Sequence, residues 1–267
     1  MSSHTSIENQ RVKNKVAVIT GAGSGIGRAA AMKLAEHGAK IVLVDLLDER
    51  SEKTRQAIRD AGGEAIFADT DVSDPARVEQ AMQEAAKQFG GIDILFANAG
   101  VNGTLAPIQH LEPEDWDRTL GVNLKGTFLS VKYALPHMTA RGGSIVITSS
   151  INGNRKFTGF GMSAYSASKA GQVAFAKMAA LELAHHRIRV NAICPGAIET
   201  NIGQNTHPTP EVNDIKIPVI YPEGNQPLER RAGHPNQVAD LVLFLASDES
   251  SHITGTTVYI DGAESLL

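Results

Sequence analysis

Cysteine is almost absent. Cys194 stands alone among 267 residues, so no intrachain disulfide can form and a small scaffold stapled by disulfides is excluded. Cys194 follows the strand-like run Ile188–Ile193 and precedes Pro195, a context that reads as packing rather than as a nucleophile. Long hydrophobic runs are missing as well: nothing approaches the ~20 residues needed to span a bilayer. Met1–Lys15 is polar and lacks the apolar core of a secretory signal. No membrane partnership is expected, and a reducing cytoplasm is the expected location. An excess of positive charge is also lacking. The 25 basic and 29 acidic residues leave a net charge of -4, with no basic face for nucleic acid. Histidines do not cluster at metal-ligand spacing, so no metal is expected. What remains is a small-molecule partner and further copies of the chain.

The length suits one α/β domain with a single large core. Residues 1–14 carry no hydrophobic period and read as a loosely held arm, with residues 15–267 as the domain. Val16-Ala-Val-Ile19 is a continuous apolar run of the kind found in a parallel strand buried on both faces. Glycines 21, 23, 25 and 27 follow, and Ile26–His37 has helical spacing until Gly38 stops it. A glycine turn between strand and helix lets the main chain approach a pyrophosphate, and the new helix presents its N–H groups and dipole to that charge. Taken alone it could also be a tight connection and nothing more.

The second strand, Lys40–Val44, ends at Asp45, eighteen residues beyond Gly27. A carboxylate there can accept hydrogen bonds from the hydroxyls of an adenosine ribose, whereas a 2′-phosphate would meet like charge. Ser24, Leu46 and Leu47 supply no cation nearby, so the pattern predicts NAD rather than NADP. An ordinary turn role for Asp45 is the competing reading.

The pattern continues as helix Asp48–Ala61, strand Glu64–Ala68, helix Asp74–Phe89 and strand Ile92–Ala97, the last running into Asn98-Ala99-Gly100. A loop over Val101–Pro113 precedes a long helical pattern from Pro113 to about Ala140, interrupted by the poor helix former Asn123. Strand Ser144–Thr148 leads to Ser149-Ser150. A helix fits Ser163–His185, and strand Ile188–Ile193 leads to Pro195-Gly196. Helix Pro235–Ala246 and strand Thr257–Asp261 complete the series, the strand at a sheet edge. Strands alternating with helices predict a doubly wound, mostly parallel sheet with helices on both faces, ligands lying at the carboxyl ends of the strands.

Within the Ser163–His185 helix, Tyr165 and Lys169 are four residues apart, hence on one face. A phenol of reference pKa about 10 is a weak base at neutral pH, and a cation a few ångströms away favours its phenolate by roughly 1–3 pH units. Such a pair can exchange a proton with a substrate hydroxyl or carbonyl. Spacing alone also fits a plain amphipathic contact.

Thr20-Gly-Ala-Gly-Ser-Gly-Ile-Gly27, Asn98-Ala-Gly100, Asn123, Ser150, Tyr165-x-x-x-Lys169 and Pro195-Gly196 occur in the order seen in the short-chain dehydrogenase/reductase family. The chain resembles that family from about Val12 to Gly262. The resemblance implies a Rossmann-like sheet of seven strands in a single domain, and an NAD-dependent alcohol dehydrogenase or ketoreductase acting on a secondary alcohol or ketone. It implies that Tyr165 is the general acid/base, that Ser150 rather than Ser149 holds the substrate oxygen, and that Lys169 lowers the tyrosine pKa and binds the nicotinamide ribose. Asn123, by the same resemblance, distorts its helix and holds a relay water on its main-chain carbonyl. Gly21, Ser24, Gly25, Ile26 and Gly27 would form the phosphate turn, and Asp45 and Leu46 would meet the adenosine ribose. Asp71 and Val72 would cradle adenine, although Asp71 also reads as a loop residue before the Asp74 cap. Asn98, Ala99 and Gly100 would lie along the cofactor, Asn98 also bracing the central strands. Pro195, Gly196, Ile198 and Thr200 would hold the nicotinamide end. Relatives commonly assemble as homotetramers, a dimer being the alternative, and the apolar ending Ser265-Leu-Leu267 fits a covered contact. A non-catalytic NAD-binding sensor or scaffold of the same fold is the competing function.

The substrate side departs from the family. The interval from Ser150 to Tyr165 is two residues longer than is usual there, the extra length falling within Asn152–Met162. Arg155 and Lys156 in that insertion could meet an anionic or polyhydroxylated substrate, or simply be solvated. Asn102, Asn152, Asn154 and Arg155 lean toward a sugar or polyol, while Phe157, Phe160 and Met162 lean toward a steroid or cyclic ketone. Residues 201–233 carry prolines at 208, 210, 218, 222 and 227 and read as a substrate lid.

Overall fold

The computed structural model describes residues 10–46 and 49–267. Seven strands, each rich in apolar residues, form the central sheet: β1 (Val16–Thr20), β2 (Lys40–Asp45), β3 (Ala65–Asp69), β4 (Ile94–Ala97), β6 (Gly143–Thr148), β7 (Ile188–Pro195) and β9 (Thr257–Ile260). Their order is β3-β2-β1-β4-β6-β7-β9, and every pairing is parallel. Parallel pairing needs crossovers, and the helices supply them: α1 (Gly25–Glu36), α2 (Glu49–Asp60), α3 (Pro75–Phe89), α4 (Pro113–Leu120), α5 (Gly126–Ala134), α6 (Ser163–Leu183) and α7 (Pro235–Ala246).

Successive strand residues point to opposite faces, and this divides the core in two. Ala17, Ile19, Ile41 and Leu43 pack against Ala30, Leu34 and Ile58 of α1 and α2 and Val238, Val242 and Leu243 of α7. Val16, Val18, Val42 and Val44 face the other way, onto Val78 and Met82 of α3, Leu129 of α5 and Val173 and Ala176 of α6. Strand order reverses between β1 and β4, which opens a crevice beyond their carboxyl ends. Among the described residues, no helix is long and apolar enough to cross a membrane.

Several sequence expectations are corrected. Residues 1–9 of the expected arm, Leu47, and Asp48 at the expected start of α2 lie outside the described residues. Residues 10–14 are not loose: Val12 is buried, its N–H donates to His37 O, and Arg11 pairs with Glu249. A single apolar anchor too short to show a period accounts for the difference. The long helix expected over 113–140 is broken by a π turn at Gly121–Lys125 and gives way to a 3₁₀ turn at Leu135–His137. Residues 201–233 contain 3₁₀ turns at Asn201–Asn205 and Pro210–Asp214 and a short strand, β8 (Thr206–Pro208). β8 pairs in parallel with β5 (Gly103–Leu105), inside the segment expected to be plain loop. Three-residue strands carry too little alternation to be read, and only the distant partner creates them.

Candidate active site

The crevice is a cavity of about 660 Å³, within the range of small-molecule sites. On its nucleotide side, β1 ends in the glycine turn, and Gly25 takes φ +51, a left-handed conformation that favours glycine. At Gly27 a Cβ would collide with the carbonyl oxygen of Gly21. The absence of side chains there leaves main chain and the start of α1 facing the cavity, a surface suited to a pyrophosphate. Asp45 stands at the end of β2 with Oδ2 accepting from Gly23 N at 2.6 Å and Oδ1 from Leu46 N at 2.8 Å. The carboxylate is thereby locked to the glycine turn on the cavity wall.

Every residue expected to hold the cofactor except Gly27 lines this cavity: Gly21, Ser24, Gly25 and Ile26 at the turn, Asp45 and Leu46 beyond β2, and Asp71 and Val72 beyond β3. Asn98, Ala99 and Gly100 line it beyond β4, and Pro195, Gly196, Ile198 and Thr200 beyond β7. Gly27 is held in its place by packing against Gly21 and Asn98 instead. Asp71 also plays the local role weighed above, accepting from Ser73 N and Ser73 Oγ at 2.8 and 2.7 Å. Asn98 bridges strands, donating to Thr20 O at 3.1 Å while its Oδ1 accepts from Thr148 Oγ1 at 3.1 Å. Arg50, which the sequence reading passed over, lines the same cavity and donates to Gln204 Oε1 at 3.2 Å.

Ser150, Tyr165 and Lys169 converge at the other end. The first turns of α6 bring Tyr165 and Lys169 to one face, and the loop after β6 brings Ser150 into the same cavity wall as the tyrosine. Ser149 also lines the cavity, but its hydroxyl donates to Lys169 O at 2.7 Å. Lys169 Nζ donates to Thr148 O at 2.9 Å and lies 5.6 Å from the centre of the Tyr165 ring. Burial drives the titration of both groups. It pulls Lys169 down to about 8 and pushes Tyr165 above its ordinary value, the nearby Ser150 hydroxyl working in the opposite sense. Lys169 is not among the groups that shift the phenol, so the lowering expected from it does not appear, and losing water disfavours both charged forms.

Asn123 distorts its helix as expected: it sits in the π turn, with Gly126 N donating to Gly121 O. Its carbonyl does not fit the expected role. It accepts from Thr127 Oγ1 at 2.8 Å and from Gln172 Nε2 at 2.9 Å, so two side chains occupy the position where the resemblance implies a water. Its side chain holds Val101 through N and O, both at 2.9 Å, and accommodates Ser168 Oγ at 3.0 Å. Gln172 lies one helical turn after Ser168 and is wholly buried. A polar side chain at a helix position facing the core was the available signal for it, and it was missed.

The substrate side corrects two readings. Arg155 stacks over the Tyr259 ring at 3.5 Å, and Lys156 is buried against Glu264 at 2.9 Å. Lys156 is thus not a solvated cation, whereas Arg155 stays exposed beside its ring, and neither lines the cavity, because partners on β9 and the C-terminal turn hold them. Asn102 is tied to Thr206 Oγ1 at 2.9 Å, and Asn154 to Ser149 Oγ and Ser150 O. Asn152 and Met162 line the cavity, whereas Phe157 is exposed away from it.

Comparison with known proteins agrees with this geometry. Residues 21–263 match the family model described as enoyl-(acyl carrier protein) reductase. The cis-4-hydroxycyclohexanecarboxylate dehydrogenase of Sinomonas cyclohexanicum is 40% identical over 93% of this chain and 95% of its own. Among solved structures, a 3-ketoacyl-ACP reductase from Sinorhizobium meliloti superposes with a TM-score of 0.89 at 45% identity, covering 94% of this chain and 99% of that one. Carveol dehydrogenase from Mycobacterium avium, solved in complex with NAD, superposes with a TM-score of 0.85 at 31% identity over 97% of this chain and 100% of that one. With the glycine turn, the parallel sheet and the Ser150–Tyr165–Lys169 cluster in place, this chain belongs to the short-chain dehydrogenase/reductase family of oxidoreductases.

Proposed function

We propose that the protein is an NAD-dependent oxidoreductase that interconverts cyclic secondary alcohols and ketones. The observation that carries this reading is the convergence of Ser150, Tyr165 and Lys169 in the wall of the cavity that the glycine turn and Asp45 also line. Bound there, NAD supplies the acceptor for the carbinol hydride. In the oxidative direction Tyr165 takes the hydroxyl proton after passing its own to Lys169, and in the reductive direction it gives a proton to the carbonyl oxygen. Ser150 holds the substrate oxygen as charge develops on it. Lys169, buried and pulled down to about 8, exchanges its proton close to working pH and gives Tyr165 a route to recharge. Asn123 acts through position, holding Val101 beside the cavity and the start of α6 through Ser168. Asp45 favours NAD over NADP because a 2′-phosphate would approach a carboxylate already locked to Gly23.

The cyclic substrate class follows from the relatives named for cyclic alcohols and from the apolar Met162 and Ile202 in the cavity wall. The deciding experiment follows NADH formation from NAD, with NADP in parallel, across cyclohexanols, terpenoid alcohols, sugars, polyols and 3-hydroxyacyl thioesters. Cyclic alcohols with NAD are the expected pair. Turnover of thioesters alone, or with NADP alone, would overturn the reading.

Two further expectations belong with it. Residues 201–233 act as a lid, Asn201, Ile202 and Asn205 already lining the cavity. Hydrogen exchange across this segment should slow on adding cofactor and substrate, and unchanged exchange would refute the lid. The chain also assembles as a homotetramer: Phe128, Met178 and Leu181 expose apolar surface on α5 and α6, which a second copy would cover. A monomer in sedimentation analysis would refute that.

A further inference from the structure

The wall opposite the glycine turn contains a buried ion pair. Lys156 and Glu264 are 7% and 5% exposed, and Lys156 Nζ donates to Glu264 Oε1 at 2.9 Å. The carboxylate gathers three further donors: Ala197 N at 2.8 Å and Gln226 Nε2 at 2.6 Å on Oε2, and Asn225 Nδ2 at 3.4 Å on Oε1. The ammonium also faces the Tyr221 ring at 5.0 Å. Four distant segments thus meet at one carboxylate: the insertion after Ser150, the loop after β7, residues 221–226 and the C-terminal turn Glu264–Leu266.

The pair has a direction. Glu264 lines the active-site cavity, against Gly196 and Ala197, whereas Lys156 does not and lies behind it. Among the described residues that line the cavity, the charged ones are Asp45, Arg50, Asp71, Lys169 and Glu264. The first three stand at the nucleotide side, beyond β2 and β3, and Lys169 is the amine beside Tyr165. Beyond the Lys169 amine, the charge brought to this end of the cavity is therefore the negative one of Glu264, set against Gly196 and Ala197. An anionic group arriving there would meet a carboxylate whose counter-ion is turned away, in a setting of low dielectric where the repulsion is poorly screened. The neutral amides of Asn102 and Asn152 offer no compensating charge.

We infer that Glu264 sets substrate charge: the cleft takes uncharged hydroxylated rings and rejects those that carry a carboxylate. This rests on the proposed activity and narrows its substrate class. Specificity built from an unfavourable contact is a common device, and here a carboxylate-bearing ring of the kind named for one relative is the ligand refused.

The test compares kcat/KM, with NAD, for 4-hydroxycyclohexanecarboxylate and for its carboxamide, which has nearly the same shape without the charge. The wild type should favour the carboxamide by about tenfold or more, equivalent to about 1.4 kcal/mol. Glu264→Gln should shrink that ratio toward one. Because that variant leaves Lys156 buried without its partner, the double variant Lys156→Met/Glu264→Gln, which removes both charges, serves as the second arm and should shrink the ratio likewise. Equal use of acid and amide by the wild type would overturn the inference and leave the activity standing. A preference that survives in both variants would also overturn it. If no alcohol of any class yields NADH, the activity itself fails and the inference falls with it.

Discussion

On the nucleotide side of the cleft each strand hands its terminal residues directly to the turn that follows, and the contacts that shape the glycine turn have a main-chain group on at least one side: Gly23 N on the Asp45 carboxylate, Thr20 O on the Asn98 amide, and the carbonyl of Gly21 against Gly27. The substrate side is assembled from segments scattered over the chain, with side chains doing the joining: Asn102 to Thr206, Arg155 on Tyr259, Lys156 to Glu264 and Gln226 to Glu264. A surface of main chain leaves little room for substitution and can bind only what approaches closely. A surface of side chains can be revised one residue at a time. This contrast suits a family that keeps one cofactor chemistry while its substrates differ.

The largest effect should come where the two sides meet. Tyr165→Phe removes the hydroxyl proposed to move the proton and is expected to lower kcat by about 10²–10⁴-fold, while NADH binding, followed by fluorescence titration, stays near the wild-type value. Equal losses in both would mean that the residue shapes the cavity rather than moves a proton.

Lys169 comes next and is read through pH. Its amine is pulled from 10.5 down to about 8 by burial, so between those values the unfolded chain binds the extra proton and the folded chain does not. Stability must then rise with pH through that window. Lys169→Met removes this dependence. The stability of wild type relative to Lys169→Met should improve by about 2–3 kcal/mol between pH 8 and 10.5, at about 1.4 kcal/mol per pH unit at most. Urea titrations at the two pH values measure it, and a gap that does not change with pH would contradict the burial argument.

Gly27→Ala tests the nucleotide side alone. The collision with Gly21 O predicts about 1–3 kcal/mol of destabilisation, visible as a lower Tm, together with weaker NAD binding. A smaller change is expected of Asp45→Ala, which should improve the use of NADP relative to NAD by about fivefold, or about 1 kcal/mol. Kinetics with each cofactor would show it, and an unaltered ratio would place the discrimination elsewhere. The smallest effect belongs to the substrate side. Arg155→Ala loses a stack on an aromatic ring and should cost about 0.5–1 kcal/mol of stability with the substrate KM unmoved. A large rise in KM would break the comparison, because it would make Arg155 a binding residue after all.

The amino-acid sequence by itself determined the frame and the chemistry. Apolar runs of strand length, glycines at fixed intervals and a Tyr-x-x-x-Lys step are local patterns, and local patterns specify the β1–α1 turn, the seven-strand sheet and the placement of Ser150, Tyr165 and Lys169. Only the tertiary structure decided the rest. That Glu264 lies against Ala197, that Gln172 and Thr127 fill the Asn123 carbonyl, and that three residues at 103 pair with three at 206 depend on contacts between positions far apart in the chain. Such contacts leave no periodic trace. The titration of the active site is of this second kind too: spacing places a cation beside a phenol, but the depth of burial sets which way each group is pushed. Desolvation depends on everything packed around a group, and no stretch of sequence carries that information alone.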